Sequence, residues 1–122
     1  MSLVVLLCAD LMFGSRVGSA LQLAGDEVET IASAGALEAR LARGPAPAAL
    51  VVDLTDEGLG GARAVGSLIS SGSLAGVPTL GFYSHVDVAA REAAREAGFD
   101  RVIPRSRMAR EGAALVAALI AA

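Results

Sequence analysis

Five short apolar runs, each followed by a segment with helical spacing, constrain this chain more than any other feature. The runs are SLVVLLCA (2–9), DEVETIA (26–32), ALVVDLT (49–55), VPTLGFYS (77–84) and DRVIPRS (100–106). The first and third are almost continuously apolar, the pattern of strands buried on both faces of a parallel sheet. DEVETIA alternates instead, as an edge strand does. Between the runs, apolar residues recur at helical spacing. Leu11, Phe13, Val17, Ala20, Leu21 and Ala24 form one such series, with Asp10 as N-cap and Gly25 as stop. Ser33 and Gly44 bracket a second helix, a third is expected around 57–70, a fourth over 85–99 and a last over 107–122.

Strict βα alternation with buried strands gives a parallel sheet with helices on both faces. Five units in 122 residues predict one domain over 1–122, a flavodoxin-like α/β fold with a doubly wound sheet of order 2-1-3-4-5. In such a sheet ligands bind beyond the carboxyl ends of the strands, at the switch point between strands 1 and 3. Asp10 and Asp53 close those two strands, so both carboxylates are expected at one rim. Ser84 closes strand 4, and Arg105 follows Pro104 at the end of strand 5.

Composition limits what that rim can do. All ten basic residues are arginine, and neither lysine nor asparagine occurs. Net charge is −3, with no basic block, which argues against nucleic acid as partner. The single cysteine, Cys8, excludes an internal disulfide and a cysteine-based metal cluster. The opening segment lacks a positive n-region and reads as a strand rather than a signal peptide. No apolar run approaches the roughly 18–20 residues of a membrane span. A cytoplasmic protein with no membrane contact is the expectation.

At this point the residues resemble the receiver domains of bacterial response regulators. The resemblance spans the chain and rests on LLCAD with Asp10, VVDLT with Asp53, GFYS with Ser84, and AGFDRVIPRS before the last helix. It implies that Asp53 stands where the family accepts a phosphoryl group. It implies that Asp10 stands among the acids that hold magnesium, and that Ser84 stands where a hydroxyl turns toward the phosphoryl oxygens. A protein partner is also implied. The departures matter as much. The family has two adjacent acids after strand 1, where this chain has Ala9-Asp10. The family's Lys-Pro becomes VIPR, with Ile103 before the proline and Arg105 after it. Phosphoryl transfer needs several oxygen ligands for the metal and a cation for the transferred charge. The chain therefore looks like a pseudo-receiver, a stand-alone signalling module that acts by protein contact and is not an enzyme. Two alternatives stand beside it: a working receiver phosphorylated on Asp53, and a small flavodoxin-like ligand-binding domain or enzyme. No cofactor fingerprint is present, so none is expected; the ion the resemblance admits is magnesium, on Asp10 and Asp53.

Each candidate also has a plainer reading. Asp10 can be only a helix cap. Asp53 is costly inside LVVDLT unless it lies at a strand end. Ser84 can form a capping box with Asp87. His85 can ligate a metal or simply be solvated, and Cys8 reads as core. The GLGG at 58–61 lacks the spacing of a nucleotide loop. Arg91, Glu92, Arg95 and Glu96 read as a solvated face. Residues 113–120 are all apolar, more than one helix face needs, so this helix is a candidate homodimer surface. Arg105 is expected to fold back onto Asp53 or Asp10; the competing placement turns Arg105 and Arg107 outward to an acidic partner.

Overall fold

A computed structural model describes residues 1–122. Ten elements alternate: β1 (Leu3–Leu7), α1 (Leu11–Leu23), β2 (Glu27–Ile31), α2 (Ala34–Arg43), β3 (Ala49–Asp53), α3 (Gly61–Ser70), β4 (Thr79–Tyr83), α4 (Val88–Ala97), β5 (Arg101–Pro104) and α5 (Arg105–Ala121). All four strand pairings are parallel, and the order is β2-β1-β3-β4-β5. This is the flavodoxin-like fold that the alternation predicts.

Side chains of a strand alternate between faces, so a doubly covered sheet buries every one. Val4 and Leu6 of β1 join Val51, Phe82 and Ile103 in a core beneath α1 and α5. Val5 and Leu7 join Leu50 and Val52 in a second core beneath α2, α3 and α4. β2 lies at one edge and is only partly covered. Arg40 of α2 reaches Glu29 on that edge, Nε to Oε2 2.6 Å, and donates to the Pro45 carbonyl at 3.1 Å.

Three helix starts differ from expectation. α3 begins at Gly61 rather than near 57, because residues 56–60 form a turn. In it the Leu59 N–H donates to the Asp56 carbonyl, and Gly60 adopts φ +60. α4 is capped by Asp87, whose Oδ1 accepts from the Ala90 N–H at 3.0 Å; Ser84 contributes only its carbonyl, to the Asp87 N–H. α5 begins at Arg105 with no intervening loop. Pro104, at φ −63 and ψ 147, turns the chain directly from β5 into the helix. Arg105 is thus a first-turn helix residue, not the end of a strand.

The apolar run at the end of α5 has a packing role. Met108, Leu115 and Val116 are buried in the α1–α5 core, Leu119 and Ile120 pack at its border, and the outward positions are alanines. No helix is long and apolar enough to cross a membrane.

Candidate functional site

β1 and β3 are neighbours, with Leu7 in register with Val52. Their ends therefore carry Cys8, Asp10 and Asp53 to the same rim, at the point where the strand order reverses. The two acids meet different surroundings.

Asp53 is 2 % exposed. A buried carboxylate needs donors, and this one has three. The Thr55 N–H donates to Oδ1 at 2.8 Å, the Thr55 hydroxyl to the same oxygen at 2.6 Å, and the Cys8 thiol lies 3.5 Å from Oδ2. The Cys8 sulfur is also 3.6 Å from the Asp10 carbonyl. Burial foremost, with the negative charge of Asp53 adding to it, pushes the Cys8 thiol up to about 11. The thiol is therefore a protonated donor and not a nucleophile at neutral pH.

Asp10 is half-exposed and caps α1. Its Oδ1 accepts from the N–H groups of Met12 at 3.1 Å and Phe13 at 3.0 Å. Its Oδ2 faces Arg105, with the nearest guanidinium nitrogen at 3.4 Å. The guanidinium lies over the Phe13 ring, Cζ 4.1 Å from the centroid. Phe13 in turn packs on Phe82 of β4, centroids 5.1 Å apart. A cation over an aromatic face is attracted by the ring quadrupole. Asp10 and Phe13 together hold Arg105 against the rim.

Of the two carboxylates expected to receive Arg105, it is Asp10 that does so. Arg107 does not join it at the rim; it pairs along α5 with Glu111 at 3.5 Å. Ser84, His85, Arg105 and Thr55 share one open cleft of about 430 Å³ with Phe13, Arg16, Ser106 and Ala109. The loosely phosphate-loop-like GLGG supplies the turn before α3.

A divalent cation needs about six oxygen ligands. No group of three or more His, Cys, Asp or Glu side chains is placed to hold one. Asp10 has one oxygen committed to its helix and the other to Arg105, and Asp53 is buried with both oxygens receiving donors from its own chain. As arranged, the carboxylate oxygens at the rim are engaged by groups of the chain itself, and Arg105 supplies positive charge on the side of Asp10.

Sequence reasoning left out Thr55 and Phe13 and treated Cys8 only as core. Thr55 was findable: an Asp followed two residues later by a threonine is a local turn in which the carboxylate accepts from the backbone. Nothing local marks Phe13 as the seat of Arg105, because the two are joined only by the packing of α1 against α5.

No protein-family model matches the chain, and no curated protein matches it. Solved structures do. A candidate response regulator from Chloroflexus aurantiacus superposes with a TM-score of 0.83 at 20 % identity, covering 99 % of this chain and 98 % of that one. The phosphorylated cyanobacterial phytochrome response regulator RcpA gives 0.83 at 14 %, covering 98 % and 94 %. The receiver domain of the Pseudomonas aeruginosa sensor histidine kinase PA1611 has magnesium coordinated in its active-site cleft. It gives 0.80 at 15 %, covering 99 % and 98 %. The chain has the fold of receiver domains. At these identities the likeness is one of fold.

Proposed function

We propose that this protein is a receiver-like signalling module that works by protein contact and does not accept a phosphoryl group on Asp53. The observation that carries the reading is the Arg105–Asp10 pair. Magnesium in a receiver must gather on the acid at the end of strand 1, and here a guanidinium stands on that acid. Two further features support it. Asp53 is enclosed by Thr55 and Cys8 rather than open to an incoming phosphodonor, and the rim has no lysine to stabilise the transferred charge.

The partner reading draws on the same rim. Leu11 and Met12 at the start of α1, Val86 just before α4 and Val88 at its first position are large apolar side chains exposed to solvent. Apolar side chains exposed around a polar rim suit a protein partner, and a second copy of this chain is one such partner. The module is proposed to act in the cytoplasm, without nucleic acid, resident metal or enzymatic activity of its own.

Incubation with acetyl phosphate and magnesium followed by intact-mass measurement tests the reading. No mass gain is expected. A gain of one phosphoryl group that vanishes in Asp53→Asn would establish a working receiver instead.

A further inference from the structure

The open cleft next to Thr55 is lined by two arginines, a histidine, three hydroxyls and two apolar side chains, and by no carboxylate. Arg16 enters from α1, His85 and Ser84 from the β4–α4 connection, Thr55 from the end of β3, and Arg105 and Ser106 from the first turn of α5. The protein as a whole is acidic, so this gathering of positive charge runs against its composition. Arg16 takes part in none of the ion pairs. Arg105 is held by Asp10 and over the Phe13 ring, which fixes where its charge sits. α5 opens here without a side-chain cap, adding the positive end of a 17-residue helix.

We infer that this cleft binds a small phosphorylated metabolite of sugar-phosphate type non-covalently, its phosphate between Arg16 and Arg105. Arginine forks suit phosphate oxygens, and the hydroxyls of Ser84, Thr55 and Ser106 can donate to them. The volume, about 430 Å³, lies in the ordinary range of ligand sites and leaves room for more than the phosphate. Only Phe13 and Ala109 of the lining are apolar, so the rest of the ligand is polar. The inference rests on the reading that the rim forms no covalent phosphoryl bond, and it gives that rim a ligand. A phosphate drawing on Arg105 competes with Asp10, so ligand binding and the Asp10–Arg105 pair are coupled in opposite directions.

Amide NMR titrations of the full chain with ribose 5-phosphate, inorganic phosphate and ribose test this without acetyl phosphate. Ribose 5-phosphate is expected to shift Ser84, His85, Arg105 and Ser106 and to bind at least threefold more tightly than inorganic phosphate, with ribose inert. Arg16→Gln, an exposed position, is expected to weaken binding about tenfold, the usual effect of losing a charge-assisted contact. Asp10→Asn keeps an N-cap acceptor on α1 and releases Arg105; it is expected to tighten binding about threefold. No shifts at roughly 10 mM of either phosphate overturns the inference. So does equal affinity for inorganic phosphate and ribose 5-phosphate, or a response to neutral ribose. Neither result touches the acetyl phosphate experiment. A covalent mass gain there overturns the proposed function and leaves the titration readable by itself.

Discussion

The thiol of Cys8 lies 3.5 Å from the carboxylate of Asp53, joining the ends of two neighbouring strands by a side-chain hydrogen bond. This contact explains how the chain keeps a buried aspartate at the end of an apolar strand. Unsatisfied, such a group costs several kcal/mol. With the thiol on one oxygen and Thr55 on the other, its polar demands are met from within.

Stability is expected to fall at alkaline pH through this thiol. Its proton is held more tightly in the folded chain, with the pKa raised from 9.0 to about 11. The contribution is therefore fully present below 9.0 and is lost as the pH rises through about 11. Tighter proton binding of this size is worth at most roughly 2–3 kcal/mol. Urea unfolding of wild type and Cys8→Ala across that window measures it. A parallel decline in both proteins would mean that the thiol is not the titrating group.

Thr55→Val is expected to cost about 1 kcal/mol, because Asp53 loses one donor and keeps two. The backbone N–H still reaches Oδ1, so the turn should survive. Chemical denaturation gives the number; a neutral substitution would mean that water replaces the hydroxyl without loss.

Much of this architecture was legible in the sequence because burial on both faces leaves a direct mark. Val4 to Leu7 and Leu50 to Val52 are apolar at every position for that reason. The errors fall where backbone geometry decides. The third helix is expected from about 57, yet Asp56 to Gly60 closes into a turn, for which Gly58 and Gly60 are the local signal. Pro104 ends β5 as expected, but α5 begins on the next residue, Arg105, where the sequence reads as strand on to Ser106. The candidate site divides in the same way. Strand ends put Asp10 and Asp53 at one rim, and the absence of lysine pointed to Arg105. Which acid receives Arg105 depends on the approach of α1 to α5, and neither segment encodes that separately.

The end of β3 is tightly packed against β4, and Gly81 is where this shows. A Cβ there would lie 2.6 Å from Leu54 Cδ1 and 3.1 Å from Phe99 Cε2. Leu54 follows Asp53 directly, so any shift it makes is felt at the rim. Gly81→Ala is expected to destabilise by roughly 1–3 kcal/mol, the usual range for overfilling a packed core. Its thermal melt should drop accordingly, and an unchanged melting temperature would show that Leu54 has room to turn aside.

The Asp10–Arg105 pair should matter more for where charge sits than for how stable the chain is. Both side chains are nearly half exposed, 46 % and 43 %, so water screens their attraction. Exposed pairs usually contribute about 1 kcal/mol or less. Two features raise this one within that range. Phe13 supports the guanidinium from below, and Asp10 is already fixed by its bonds to Met12 and Phe13, so little side-chain freedom remains to be lost. A double-mutant cycle on Asp10→Asn and Arg105→Gln isolates the pairwise part, since asparagine preserves the cap. The expected coupling is about 0.5–1 kcal/mol at low salt, shrinking as ionic strength rises. A second cycle, Arg105→Gln with Phe13→Leu, reads the ring's share, expected at about 0.5–1 kcal/mol and less sensitive to salt. If both cycles return zero, Arg105 is not held at the rim in solution and Asp10 is left open to other cations. That outcome would remove the main support for a rim neutralised by its own chain.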